Sequence, residues 1–227
     1  QILPDGMHNE LSPDYQNVVF RCGCGLYSLA KSLGLSGEVP QALTDQILLA
    51  VDAAIQLSTP ALTQPRTNDC PTVATKEFTA PAASLFGQTE VYQFFNTDRR
   101  SGEPPKGDTA SRCLPYAGFA VMRSDWSDQA AYLCFDVGPL GASHRHQDKL
   151  NINLYKGNEE LLYDDGGGQY EKSPARRYAI SGHGHNTVLV DGMAQCREAP
   201  IVSAQAIDAS WISNAAFDYA AATYEET

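Results

Sequence analysis

The spacing of apolar residues changes twice along this chain, and each change predicts a different kind of structure. Between Ser12 and Leu57 apolar residues recur every three or four positions, the period of a helix that buries one face. Val18, Cys22, Leu26, Leu29 and Leu33 make one such row, and Leu43, Ile47, Val51 and Ile55 make a second. Ser12-Pro13 has the form of an N-cap followed by proline at the first helical position. Gly34 to Gly37 closes the first helix and Pro40 opens the next. Gly23 and Gly25 each weaken the first helix by about 1 kcal/mol relative to alanine and mark a place where another helix can come close. Two helices with apolar faces do not make a domain, so the pair is expected to be part of a larger helical assembly.

From Ser58 to Arg112 the periodicity fades. Prolines at 60, 65, 71, 81, 104 and 105 and polar runs such as NTDRRSGEPPKGD predict a long connection with little regular structure. After Pro115 the period drops to two. YAGFAVMRSDW, QAAYLCFDVG, KLNINLYKG, EELLYDDGG and HNTVLVDG are short strand candidates bounded by Gly, Asp and Asn, which points to an antiparallel sheet or sandwich. The alternation is strictest after Asp148. There Leu150, Ile152 and Leu154 take one face, and Lys149, Asn151, Asn153 and Tyr155 the other.

That strand is preceded by two of the five histidines in the chain, His144 and His146. Two residues apart on an extended segment, they leave the same face. Asp164 follows the apolar run LLY, and His185 opens the candidate strand HNTVLV. Ends of neighbouring antiparallel strands can meet. His146, Asp164 and His185 together would offer zinc two imidazole nitrogens and a carboxylate, with a fourth position open. The competing expectation is that all are strand-end polar groups with ordinary hydrogen bonds. His8 and His183 have no partner in the pattern. Ser28 and Lys31 have the S-x-x-K spacing of some serine acyl enzymes, but sit in a leucine-periodic helix without companion motifs. Gly166 to Gly168 reads as a turn rather than a phosphate loop, since no Lys-Ser/Thr follows.

Composition narrows the partners. Sixteen basic residues face 27 acidic ones, a formal charge of −11, so a broad basic face for nucleic acid is not expected. No apolar run is long enough to span a membrane, and the first residues have no signal-peptide pattern. The six cysteines lack the C-x-x-C spacing of a structural zinc site and read as small apolar residues, leaving room for one disulfide if the protein is exported.

SHRHQDKLNINLY, LLYDDGGGQY and GHNTVLVDG resemble the β-sandwich half of the heparinase II/III family of polysaccharide lyases. LPDGMHNELSPDYQ resembles the stretch of that family on a helix of its α/α-toroid, and LPYAGFAVMRSDW the strand after its linker. The matches run in order over nearly the whole chain. Each alone is weak, and together they are specific. The resemblance implies an α+β multidomain architecture: helices of a partial α/α-toroid over residues 1–57, a connecting segment over 58–112, and an antiparallel β-sandwich over 113–227.

It also implies a lyase that cleaves a uronic-acid-containing glycan by β-elimination, in the periplasm or outside the cell. Tyr15 and His144 match the catalytic positions, and His146, Asp164 and His185 the metal positions, for zinc with calcium as the other candidate. Glu10, Arg145 and Arg177 are expected to meet substrate, with Arg176 available to add local positive charge. The family's further toroid residue, an asparagine or histidine for the uronate carboxylate, has no counterpart in the matched stretches. Gln16 stands where histidine is common, and Gln147 where glutamate often occurs.

The chemistry suits these roles. β-Elimination removes the proton at C5 and expels the oxygen at C4, so the neighbouring carboxylate must be neutralised. A phenol titrates near 10, so a tyrosine base needs nearby cations, and the start of a helix favours negative charge. An imidazole titrates near neutrality and can serve as partner. The ion would hold His146, and through the backbone its neighbour His144. Two rivals stand beside the lyase. One is a zinc hydrolase in which metal-bound water attacks. The other is a carbohydrate-binding sandwich without catalysis. The oligomeric state and the particular uronate polymer are not legible.

Overall fold

The computed structural model describes residues 1–167, 170–196 and 210–224. Its helices are α1 (Pro13–Ser32), α2 (Gln41–Leu57), α3 (Lys76–Phe86), α4 (Glu90–Asn96) and α5 (Pro174–Ala179). Five antiparallel strands form one sheet in chain order: β1 (Arg112–Leu114), β2 (Phe119–Arg123), β3 (Ala131–Asp136), β4 (Ile152–Lys156) and β5 (Glu159–Leu162). A separate hairpin pairs β6 (Ser210–Ser213) with β7 (Asp218–Ala221). The chain is therefore helical in its first half and an antiparallel sheet in its second.

Helices α1 and α2 begin where the sequence pattern places them, but α1 faces the other way. Val18, Leu26, Leu29 and Leu33 are 52–63% exposed, while Gln16, Asn17, Phe20 and Cys24 are buried. The inward face is fixed by specific partners. The Gln16 amide donates to the Ala50 carbonyl at 2.9 Å, and Phe20 packs on Phe78 with ring centroids 5.2 Å apart. The leucine row thus lies on the solvent side, with no covering element among the described residues. Ser12 begins α1 without a side-chain cap; its hydroxyl donates instead to the Asp69 carbonyl at 3.0 Å.

The expected irregular connection is corrected by α3 and α4. Phe78, Ala82, Phe94 and Phe95 are buried in one cluster with Phe20, Ile47, Val51 and Ile55, so this stretch carries apolar faces that pack on α1 and α2. Pro81 sits inside α3, and the Thr89 hydroxyl caps α4 by accepting from the Tyr92 amide at 3.1 Å. The prolines concealed a helical period rather than breaking it.

A second cluster joins the halves. Leu3, Met7 and Leu11 from the N-terminal segment and Ala53 and Leu57 from α2 pack on Phe119, Val121, Tyr132, Cys134 and Tyr155 of the sheet. Polar groups reinforce the seam. Tyr132 donates to the Leu57 carbonyl at 2.7 Å. Arg123, 7% exposed, donates to the carbonyls of Gln56 at 2.5 Å and Ser58 at 2.8 Å. A cation at these last carbonyls also meets the negative end of the α2 dipole. Burial lowers the Arg123 pKa to about 10, so it stays charged at neutral pH.

The alternation in β4 is present, but its polar face is the buried one. Asn151, Asn153 and Tyr155 are 1–5% exposed, and Ile152 and Leu154 are only half-buried. On the outer face Met122, Leu133, Leu154 and Leu162 are cross-strand neighbours. The candidate strand HNTVLV is not a strand. His185 ends a 3₁₀ turn at Gly182–Gly184, and Val188 and Val190 are 64% and 66% exposed. Its polar groups go to the segment before β4 instead of a ladder: the Asn186 amide donates to Asn151 Oδ1 at 2.8 Å, and the Thr187 hydroxyl to the Lys149 carbonyl.

Cys22, Cys24, Cys70, Cys113 and Cys134 are free thiols. No helix among the described residues is long and apolar enough to cross a membrane. The seam yields a test. Tyr132→Phe should lower stability by about 1 kcal/mol and Arg123→Met by about 3 kcal/mol, read as a lower urea midpoint with an unchanged slope.

Candidate active site

Asp69 lies in the loop between α2 and α3, 2% exposed, and gathers the polar groups around it. Its Oδ1 lies 2.8 Å from His146 Nε2 and accepts from Arg176 at 2.5 Å. Its Oδ2 lies 3.1 Å from His144 Nδ1 and accepts from the other Arg176 nitrogen at 3.0 Å. Burial alone would raise the Asp69 pKa. The bonds to His146 and Arg176, with His144 adding, instead hold the carboxyl well below the usual carboxylate range.

The same loop binds both halves of the fold. The Asn68 side chain donates to the Leu11 carbonyl at 3.1 Å and accepts from the His146 amide at 3.0 Å. The Asp69 amide donates to the His144 carbonyl at 3.3 Å. The segment that leads into Tyr15 and the segment that carries His144 are thus pinned to one turn.

Tyr15 stands in the first turn of α1, and its ring stacks on His144 at 3.6 Å between centroids, 15° from parallel. Its hydroxyl lies 2.5 Å from that of Tyr170, which lies 3.2 Å from His144 Nδ1. Arg176 stands over the Tyr170 ring at 5.0 Å. Burial, then the bond to Tyr15 and the Asp69 charge, push the Tyr170 phenol up, so it keeps its proton at neutral pH. His144 is not on an extended segment as expected. Its φ of +55° is left-handed, a conformation uncommon outside glycine and asparagine.

Sequence reading brought Tyr15 and His144 together and missed Asp69 and Tyr170. Tyr170 ends LLYDDGGGQY, and its distance from the strand hid it. Asp69 lies in a proline-rich stretch where no periodicity points inward.

His146, Asp164 and His185 also come together. The His146 and His185 rings are 5.2 Å apart, and His185 Nδ1 lies 2.8 Å from Asp164 Oδ2. Asp164 further accepts from Asn151 at 2.9 Å and from the Gly166 amide at 3.0 Å. Burial tends to lower the His185 pKa, but the bond and charge of Asp164 outweigh it and raise it. Among the described residues no three His, Cys, Asp or Glu side chains are arranged as a metal ligand set. Yet His146 Nδ1 and His185 Nε2 are both buried without a hydrogen-bond partner. Two orphaned imidazole nitrogens beside a carboxylate fit a divalent cation by donor chemistry.

The expected substrate residues divide. Glu10 is partly buried, with its carboxylate 3.8 Å from His8 Nδ1, and its backbone abuts the loop that carries His144, where a Cβ on Gly141 would meet the Glu10 carbonyl at 2.3 Å. Arg145 is half-buried on that loop. Arg177 is exposed on α5, and it is Arg176 that enters the site, because the short helix turns only one of the adjacent pair inward. Gln16 holds α1 to α2, and Gln147 accepts from the Gly182 amide at 3.3 Å, so both departures from the family pattern are buttresses here. Arg66 lies over the Tyr163 ring at 4.8 Å and, with Arg176, Thr72 and Asp165, lines a 490 Å³ cavity.

Known proteins match over both halves. The profile "Heparinase II/III N-terminus" matches residues 1–94 and "Heparinase II/III-like, C-terminal" residues 106–210. A heparin-sulfate lyase of Pedobacter heparinus is 29% identical over 159 residues, 68% of this chain and 24% of that protein. The crystal structure of heparan sulfate lyase HepC from Pedobacter heparinus superposes with a TM-score of 0.83 at 25% identity, over 96% of this chain and 34% of that one. A heparinase III gene product superposes at 0.77 and 25% identity, over 85% and 31%. The chain thus spans about a quarter to a third of these relatives.

Gly167 bears on the site directly. Its φ is +54°, and a Cβ there would stand 2.6 Å from His146 Cε1 and 2.7 Å from Arg176. Gly167→Ala should cost about 1–3 kcal/mol. Gly25→Ala on α1, where nothing lies within 4 Å, should instead stabilise by about 1 kcal/mol. Paired denaturant curves read the contrast.

Proposed function

This chain belongs to the heparinase II/III-like family, and from that premise we propose that it carries the catalytic cleft of a polysaccharide lyase that opens a uronic-acid glycan by β-elimination. The observation that carries the reading is the Tyr15 ring stacked on His144 at 3.6 Å, with the Tyr170 hydroxyl touching both residues. Two proton-transfer groups of different kinds, one from each half of the fold, meet at one cleft. A lyase needs that, and a structural cluster does not.

In the reaction the C5–H bond breaks and its electrons form the C4–C5 double bond. The C4–O bond breaks, and the departing oxygen takes a proton. Tyr15 and His144 act as the acid and base of this exchange. Tyr170 keeps its proton and donates a hydrogen bond to the same centre. Arg176, with Arg66 behind it, provides local positive charge on a chain of net charge −11, and Glu10 and Arg145 border the cleft where sugar hydroxyls would lie. His146, Asp164 and His185 are the residues that would hold a divalent ion, zinc first and calcium second. Bound there, the ion would supply positive charge and rigidity beside His144.

The finer architecture follows the same reading. Helices α1 and α2, with α3 and α4 packed on them, belong to an α/α-toroid, and β1 to β5 form part of a β-sandwich whose outer face includes Met122, Leu133, Leu154 and Leu162. Relatives named for heparin and heparan sulfate favour a heparan-type polymer as the partner, met in the periplasm or outside the cell.

The test uses the full enzyme with a panel of uronate polymers, following ultraviolet absorbance of new double bonds. Wild type should release unsaturated ends, and Tyr15→Phe should cut kcat on the order of 10²-fold or more at unchanged fold. Saturated products would turn the assignment to a hydrolase. Glycan binding without turnover, kept in Tyr15→Phe with His144→Asn, would turn it to a binding module. Chelation should lower the melting temperature, and readdition of zinc should restore it; no metal in purified protein would remove the ion from the account.

A further inference from the structure

The Asp69 carboxylate receives four contacts: His144 Nδ1, His146 Nε2 and both terminal nitrogens of Arg176. An ionised carboxylate only accepts, and it has about four lone-pair sites, so it is filled. Each ring atom that faces it must therefore carry a hydrogen. The consequence differs for the two histidines, because they offer opposite nitrogens. His144 shows Asp69 its Nδ1, and His146 its Nε2.

We propose that Asp69 is the positioning residue of this site, which fixes His144 as the Nδ1–H tautomer and His146 as the Nε2–H tautomer. His144 is then left with its lone pair on Nε2, and His146 with its lone pair on Nδ1. The second half agrees with an independent observation: His146 Nδ1 is buried and without a hydrogen-bond partner. A lone pair there points to a cation, whereas an N–H there would be a buried donor with nothing to meet.

The same choice sets the direction of the next bonds. His144 Nδ1–H lies 3.2 Å from the Tyr170 oxygen, so that oxygen is a second acceptor for it. The Tyr170 hydrogen is then free to point at Tyr15, 2.5 Å away. Tyr15 thus receives a hydrogen bond from Tyr170, which orients its hydroxyl oxygen toward the cleft partners. One carboxylate outside the short stretches quoted from the sequence orders the run Asp69, His144, Tyr170, Tyr15, and prepares the imidazole beside it for an ion. The inference deepens the lyase reading and rests on it for the roles of Tyr15 and His144.

The tautomers can be read without turnover. The full enzyme is labelled with ¹⁵N-histidine, and two-bond nitrogen–proton correlations are recorded near pH 8, where an ordinary imidazole is neutral. His144→Gln and His146→Gln assign the two signals. Expected are Nδ1–H for His144 and Nε2–H for His146. Asp69→Asn has one acceptor oxygen in place of two, so at least one ring should shift to the other tautomer or a mixture. In turnover the same variant should lower kcat on the order of 10²-fold with KM within about threefold.

An Nε2–H His144 in the wild type overturns the proposal even if every Asp69 variant fails to fold. Unchanged tautomers in a folded Asp69→Asn overturn it as well. Failure of the lyase reading would appear elsewhere, as absent unsaturated product with both wild-type tautomers as stated.

Discussion

The arrangement depends on a buried negative charge that has been paired to saturation. A carboxylate removed from water loses several kcal/mol of hydration, and at Asp69 that loss is offset only if every acceptor site is filled. The partners come from distant parts of the chain: His144 and His146 from the loop before β4, and Arg176 from α5. Their convergence is therefore a condition for burying Asp69 at all. The flanking Asn68 and Ser12 bonds then hold the segment leading into α1 to the same turn. Helical half and sheet half meet at a point whose geometry is set by electrostatics, while the apolar cluster around Phe119 and Leu57 supplies the bulk of the attachment.

That point is also where the proposed chemistry lies. Tyr15 comes from one half and His144 from the other, so the cleft exists only while the seam is intact. Arg123 and Tyr132 support it from the far side by holding the end of α2 to the sheet. The acidic character of the whole chain does not decide the local field. Arg66 and Arg176 border the cavity beside the site, and the carboxylates nearest to it are already bonded.

Much of this was legible in the residues, and the failures have physical causes. Four of the five strand candidates form, because alternation against one face is a strong local constraint. The fifth, HNTVLV, has the composition of a strand but no ladder partner among the described residues, and its Asn186 amide turns to the Asn151 side chain. The row from Val18 to Leu33 shows helical period correctly but not which face is inside, since period carries no direction. Gln16 and Phe20 decide that through partners far along the chain. The helices at Lys76 and Glu90 were hidden by prolines, which are read as breakers although Pro81 is tolerated within a turn. In the site, Tyr15, His144, His146, Asp164 and His185 stand in recognisable stretches. Asp69 does not, and Tyr170 only closes such a stretch, so what these two do follows from where the chain brings them.

The left-handed backbone at His144 carries a practical consequence. With φ at +55°, this position tolerates glycine or asparagine more readily than any branched side chain. An inactive form meant to trap an intact glycan for crystallography should therefore replace His144 by one of those two. The loop would then keep its path, and an uncleaved glycan held in the cleft could be ascribed to lost chemistry rather than to a moved main chain.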